Sequence, residues 1–167
     1  MDFIRGKSVL ITAGTGSLGR ALVDFLLNNS EPSRVVVFSR DELKQHDMKT
    51  QWPGEDRLRF FLGDIRDRDR LLLALQGVDF VIHAAALKQV DTAEYNPTEY
   101  VRTNVLGSEN VIRAAMLADV AKVIALSTDK ASSPANLYGA TKLTADRLFV
   151  SSNHYAPAGG TRFSVVR

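Results

Sequence analysis

Ser8-Val9-Leu10-Ile11-Thr12-Ala13-Gly14-Thr15-Gly16-Ser17-Leu18-Gly19 is the stretch that decides how this chain folds. Its first five residues are a short β-branched, apolar run, and three glycines at spacings of two and three follow at once. Beyond them Leu18, Leu22, Phe25 and Leu26 recur at helical spacing until Asn28-Asn29-Ser30 ends the pattern. Strand, Gly-rich turn and helix in that order open a βαβ unit. Glycines at this spacing occur by chance, and a tight turn without any ligand would use them too. Placed between a strand and a helix they gain a chemical use, because the turn lets backbone approach a pyrophosphate while the helix N-terminus supplies unpaired N–H groups. Gly14, Thr15, Gly16, Ser17, Leu18 and Gly19 are therefore candidate dinucleotide-binding residues.

Working outward, the same alternation repeats. Val35 to Phe38 predicts a second strand, Asp41 to Lys49 a short exposed helix, and Leu58 to Leu62 a third strand after the Trp52-Pro53-Gly54 break. Asp67 to Gln76 reads as a helix with Leu71, Leu72 and Leu75 inward, and Val78 to His83 as the fourth strand. Asn96-Pro97 starts a long helix, with asparagine as its cap and a stripe of Val101, Val105, Ile112 and Ala115 running to about Leu117. Ala121 to Ser127, Leu137 to Ser151 and Phe163 to Val166 complete the series as strand, helix and strand, with a flexible connection over His154 to Thr161. Strands alternating with helices predict an α/β fold, a doubly wound, mostly parallel sheet of the NAD(P)-binding Rossmann type, as one domain over residues 1–167. With a sixth strand finishing at Arg167, the chain is expected to lack a C-terminal substrate lobe.

Composition narrows the class. The 167 residues are 45% hydrophobic and 24% charged, as in ordinary globular proteins, and the net charge of +2 comes from scattered basic residues. Nucleic acid and membrane partners are therefore not expected. The absence of cysteine excludes disulfides and thiolate metal sites, no cluster has metal-ligand spacing, and no apolar run suits a bilayer or a secretory signal. The expectation is a cytoplasmic protein.

The end of the second strand chooses between dinucleotides. An NAD site usually places an acidic residue there for the ribose 2′-hydroxyl, whereas this chain has Ser39-Arg40. A hydroxyl and a guanidinium suit a 2′-phosphate, so NADP is preferred to NAD, although Asp41 and Glu42 stand close by. Asp64 and Ile65 after the third strand can meet the adenine, and the small Ala84, Ala85 and Ala86 after the fourth let a cofactor pass near the backbone. His83, closing a buried strand, reads as a hydrogen-bonded core histidine, and Phe60, Phe61 and Phe80 as core.

The chemistry concentrates in Leu126-Ser-Thr128-Asp129-Lys130-Ala-Ser-Ser-Pro-Ala-Asn136-Leu-Tyr138-Gly-Ala-Thr-Lys142. A hydroxyl, a carboxyl and an amine follow a buried strand, and Tyr138 and Lys142 share a helix face at i, i+4. An ammonium beside a phenol favours the phenolate, which can take a proton from a substrate hydroxyl while hydride leaves the same carbon. Each residue alone would read as a solvated surface group. Together they read as a catalytic set.

These motifs resemble the extended short-chain dehydrogenase/reductases. Ser39-Arg40-Asp41-Glu42-Leu43-Lys44, Gly63-Asp64-Ile65-Arg66-Asp67, His83-Ala84-Ala85-Ala86-Leu87-Lys88, Ala93-Glu94-Tyr95-Asn96-Pro97, Ser127-Thr128-Asp129-Lys130-Ala131 and Asn136-Leu137-Tyr138-Gly139-Ala140-Thr141-Lys142 are similar to the C5-inverting UDP-N-acetylglucosamine 4,6-dehydratases of bacterial surface-glycan synthesis. The resemblance implies UDP-N-acetylglucosamine as substrate, NADP as cofactor and a homo-oligomer in the full-length protein. It implies that Tyr138, with Lys142 and Thr128, deprotonates the C4 hydroxyl as hydride goes to NADP+, that Lys130 removes the C5 proton, and that Asp129 protonates the departing C6 hydroxyl. Tyr138 and Lys142 also join Asn104, at the family's helix asparagine, on the cofactor side, and Lys88 can meet the substrate.

The resemblance carries conditions as well. Lys130 as a base must be neutral, which predicts burial or a cationic neighbour such as Lys142. Ala13, where relatives have glycine, predicts a negative φ. Gln89 and Asp91 depart from the family's histidine and proline. The alternatives are another extended-family nucleotide-sugar epimerase or dehydratase, which Asp129-Lys130 weighs against, and a non-catalytic NADP-binding sensor or scaffold. The 167-residue chain alone is expected to bind NADP without turning over substrate.

Overall fold

The computed structural model describes residues 2–167. Six strands form one sheet: β1 (Ser8–Thr12), β2 (Arg34–Ser39), β3 (Leu58–Leu62), β4 (Phe80–His83), β5 (Lys122–Leu126) and β6 (Arg162–Val166). They lie in the order β3-β2-β1-β4-β5-β6, and every neighbouring pair is parallel. The chain builds outward from β1 to β3, then crosses back to start β4 on the other side of β1. That reversal opens a crevice beyond the carboxyl ends of β1 and β4, where doubly wound sheets bind ligands.

Period-two alternation in the strands makes two cores. Val9, Ile11, Val35 and Val37 face one way and bury Val23, Leu26 and Leu27 of α1 (Ser17–Asn29) and Met48 of α2 (Glu42–Lys49). Leu10, Val36, Phe38, Val81 and Val123 face the other way, against α3 (Arg68–Ala74), α6 (Gly107–Leu117) and Phe149 of α7 (Leu137–Ser152). Each fully buried aliphatic side chain contributes about 1.5–3 kcal/mol, so the sheet is a rigid base for the loops at its carboxyl edge. Phe60, Phe61 and Phe80 are partly buried and pack against these cores. Asp41 and Asp67 cap α2 and α3 by accepting hydrogen bonds from the backbone of Lys44 and Arg70.

Two helices differ from the sequence pattern. In α1 the buried face is Gly19, Val23, Leu26 and Leu27, while Leu18 and Phe25 are exposed, because Gly19 rather than Leu18 must meet the turn beneath it. The long helix is not uniform either. A short α4 (Val90–Tyr95) precedes α5 (Pro97–Tyr100), and a π-helical segment, Val101–Leu106, joins α5 to α6. The wider turn shifts the inward face, so Val101 stays exposed and Thr103 and Asn104 are buried. Asn96 does not cap α5 through its side chain, which donates instead to the carbonyl of Thr92. Among the described residues no helix is long and apolar enough to cross a membrane, and no group of three or more His, Cys, Asp or Glu side chains could hold a metal ion.

Candidate active site

The Gly-rich turn is built by close packing. A Cβ on Gly19 would collide with the backbone of Gly14, and one on Gly14 would lie 3.1 Å from the carbonyl of Ile11 and from Val37. Gly14 and Gly19 thus bring the helix down onto the strand, and Gly16 starts α1 with no side-chain cap and no acidic residue in the first turn. The N–H groups there are left for an anion. Ala13 has φ +53°, not the negative value expected. Its amide donates to the carbonyl of Phe38 and its carbonyl accepts from Gly16, which hold the alanine in the left-handed region where glycine is usual.

Above this turn lies a cleft of roughly 660 Å³. Thr15, Gly16 and Ser17 line one wall, Ser39 and Arg40 the end of β2, Asp64 and Ile65 the end of β3, and Ala85 and Ala86 the end of β4. Leu18 points away into solvent. Two further cations border the cleft, Arg20 and Lys44. Arg20 is held by the carbonyls of Thr15 and Lys44, and Lys44 pairs with Asp41. Neither stood out in the sequence, although Arg20 lies one residue past the last glycine of the turn. Burial opposes the charge of Asp64, yet hydrogen bonds from Arg66 and the charges of Arg66 and Arg40 outweigh it and hold the carboxyl below its ordinary value.

The cleft fits a dinucleotide. It joins an open helix N-terminus to a basic rim, and Thr103 in its wall carries a buried hydroxyl with no partner among the described residues.

A buried polar chain ties the switch point to the catalytic helix. Thr12 and His83 are partners in the β1–β4 register, and their Oγ1 and Nδ1 lie 2.9 Å apart. Thr12 Oγ1 accepts from the amides of Ala84 and Ala85, so its own proton goes to Nδ1. Ser108 donates to the carbonyl of Asn104, so it accepts from Nε2 of His83. The ring is therefore the neutral Nε2–H tautomer, the core histidine expected from the sequence. Burial and the nearby charge of Lys142 push its pKa down to about 3. Asn104 then clamps the loop after β4, accepting from the amide of Leu87 and donating to its carbonyl, and it also donates to Thr141 on α7. Asn104 acts on the loop's shape. Lys88, next along, is exposed.

The chemical groups meet where α7 starts. Asn136 caps the helix, and Glu94 of α4 accepts from the amide of Leu137. Tyr138 and Lys142 are both buried on this helix, and the Lys142 ammonium donates to the carbonyl of Leu126 at 2.6 Å. Burial pulls the Lys142 pKa down, and the Asp146 carboxylate opposes that pull. Thr128 begins a 3₁₀ turn, Asp129–Ala131, and donates to Asp129 Oδ1 at 2.9 Å. Lys130 is not buried, the first of the two settings expected for it. Its side chain is half-exposed, and Nζ lies 3.3 Å from Asp129 Oδ1. That turn follows the carboxyl end of β5 and packs against α7. Hydrogen bonds from Thr128, then from Lys130, hold the exposed Asp129 carboxyl below its ordinary value.

A 3-2-1-4-5-6 parallel sheet, a Gly-rich turn feeding a basic cleft, and Tyr138 and Lys142 one helical turn apart on the helix that follows the Thr128 turn define an extended short-chain dehydrogenase/reductase. A family model described as polysaccharide biosynthesis protein matches residues 9–167, and the chain belongs to that family. It is 53% identical, over 97% of its length, to an inverting UDP-N-acetylglucosamine 4,6-dehydratase of Campylobacter jejuni, covering 48% of that protein. It is 44% identical, over 96% of its length, to a protein of Rickettsia bellii named UDP-glucose 4-epimerase, again covering 48%. Among solved structures it resembles DesIV, a dTDP-glucose 4,6-dehydratase from Streptomyces venezuelae with NAD and TYD bound (TM-score 0.80, 28% identity, 89% of this chain and 52% of that one). The chain spans about half the length of the curated relatives it matches.

Proposed function

We propose that this chain is the dinucleotide-binding part of a C5-inverting UDP-N-acetylglucosamine 4,6-dehydratase that uses NADP. The observation that carries the proposal is the Asp129–Lys130 pair set directly against the start of the Tyr138–Lys142 helix. Proton abstraction from a sugar hydroxyl needs only the tyrosine, the lysine and a hydroxyl such as Thr128. Elimination of water from the same sugar needs a second base and an acid, and Lys130 and Asp129 are the candidates. The bound dinucleotide supplies the hydride acceptor and donor. Ser39 and the cations Arg20, Arg40 and Lys44 at the cleft support a 2′-phosphate, hence NADP rather than NAD.

The protonation states need one rearrangement. In the open site Lys130 and Asp129 form an exposed ion pair, whereas the proposed roles need a neutral amine and a protonated carboxyl. Both states hold the same number of protons, so one proton moving from Nζ to Oδ1 interconverts them. Excluding water from the pair removes the solvation that favours the charged form. The sugar and whatever closes over it therefore set the acid and the base.

A second reading has a specific basis in the relatives named as epimerases, since Tyr138, Lys142 and Thr128 would serve that reaction too. Mass separates the two. Incubation of the full-length gene product with UDP-N-acetylglucosamine and NADP+ is expected to give a product lighter by one water. A product of unchanged mass indicates the epimerase, and an unchanged sugar despite NADP+ binding indicates a non-catalytic module.

A further inference from the structure

Asp146 continues the stripe of Tyr138 and Lys142 by one more helical turn, and its carboxylate is buried. A buried carboxylate needs a partner, and the hydrogen bonds it has are modest for that purpose. Ser127 Oγ donates at 2.6 Å and is neutral. The Arg167 guanidinium, on a half-exposed side chain, stands at 3.4 Å. Lys142 is in the mirror situation, a buried ammonium whose hydrogen bond goes to the neutral carbonyl of Leu126. Two opposite charges are thus buried one turn apart on one helix, each bonded to a neutral group of the same β5 end. Lysine preceding the acid at i, i+4 is the less favourable order for a helix by itself, so helix stability does not account for the pair.

We infer that Asp146 is a positioning residue that keeps the Lys142 ammonium charged inside the protein and anchors Ser127 beside Thr128. The inference rests on the Tyr138–Lys142 reading above for its catalytic meaning, but not for its electrostatics. Burial alone drives Lys142 toward the neutral amine, which could no longer favour negative charge on a neighbouring phenol. The carboxylate one turn along opposes this, and its bond to Ser127 fixes the residue that leads into the Thr128 turn. The other titratable or charged groups on elements packed around the pair include Asp91 and Glu94 of α4, Glu99 of α5, Arg102 of the π-helical segment, Glu109 and Arg113 of α6, Arg162 of β6 and Arg167 beyond it, His83 of β4, neutral in its tautomer, Asp129 and Lys130 of the turn after β5, and Tyr138 and Arg147 of α7 itself. None of the acids among these is buried beside Lys142.

The test is NMR titration of the Lys142 ε-carbon in protein labelled with ¹³C-lysine. Asp146→Asn keeps an acceptor for Ser127 and removes the charge, and it is expected to lower the Lys142 midpoint by about one pH unit or more. Ser127→Ala removes the hydrogen bond and keeps the charge, and it is expected to leave the midpoint in place. Asp146→Ser repeats the measurement should the amide not be accommodated. An unmoved midpoint in the neutral variants, or an equal shift in Ser127→Ala, overturns the inference. Turnover by the full-length gene product is read separately. If Asp146→Asn moves the Lys142 midpoint but not the pH profile of turnover, the electrostatic inference stands and the Tyr138–Lys142 reading fails.

Discussion

Gly139 lies directly on Lys130: a Cβ at Gly139 would collide with the Lys130 carbonyl and stand 3.0 Å from Pro134. The first turn of α7 therefore rests on the backbone of the Asp129–Ala131 turn, and the glycine after Tyr138 is what permits it. Gly139→Ala is expected to cost about 1–3 kcal/mol, because the obstruction is backbone and cannot swing aside. Turnover should fall more than stability suggests, roughly 100-fold, through misplacement of Tyr138 against Lys130. Denaturant midpoints and steady-state rates check the two parts.

Arg40 reaches the cleft from the end of β2 while its guanidinium is only loosely held, 3.5 Å from Asp64. It is free to turn to a phosphate. Arg40→Ala is expected to weaken NADP+ binding by about 10- to 100-fold, the range for a charge-assisted hydrogen bond, and to change NAD+ binding little. Calorimetric titration with both nucleotides measures the split.

His83 makes stability depend on pH. Its folded pKa of about 3 lies below the ordinary 6.5, so above pH 6.5 both folded and unfolded chains hold the ring neutral and the contribution is complete. Below pH 6.5 the unfolded chain takes up a proton that the folded one refuses, and stability falls by up to about 1.4 kcal/mol per pH unit. Glu55 and Asp79 carry lowered values too, but they act below their ordinary 4.5 and 3.8. The interval from 4.5 to 6.5 thus reports His83. Thermal midpoints should slope there in the native protein and flatten in His83→Gln.

Neighbouring residues on the π-helical segment should respond in opposite directions. Asn104→Ala strands the amide and carbonyl of Leu87 and is expected to destabilise by about 2–4 kcal/mol. Thr103→Val removes a buried hydroxyl that has no partner among the described residues and is expected to stabilise by about 1 kcal/mol. Urea denaturation of both variants is the check.

How far the sequence reached follows from what each signal encodes. The doubly wound parallel sheet and the Gly-rich turn followed from residue type, because apolar periodicity and missing side chains are written there, whereas the strand order is seen only in the fold. Tyr138 and Lys142 were legible because helical spacing alone brings them together. The positive φ of Ala13 was not, since it is imposed by hydrogen bonds to Phe38 and Gly16. Nor was the π-helical shift, a backbone change no residue type announces, which turned Thr103 and Asn104 inward and left Val101 outside. Lys130 was expected to be buried or to have a cationic neighbour such as Lys142, because its proposed chemistry needs a neutral amine. The geometry instead gives an ion pair with Asp129.

The proposed reaction, elimination of water across C5 and C6 of a nucleotide sugar with a proton returned to C5 from the opposite face, has one direct test. The measurement is NMR of UDP-N-acetylglucosamine incubated with the full-length gene product and NADP+ in deuterated water. A 4-keto-6-deoxy sugar with deuterium at C5 and inverted configuration there is the expected result. A product with C5 configuration retained, or one without deuterium at C5, would contradict the account.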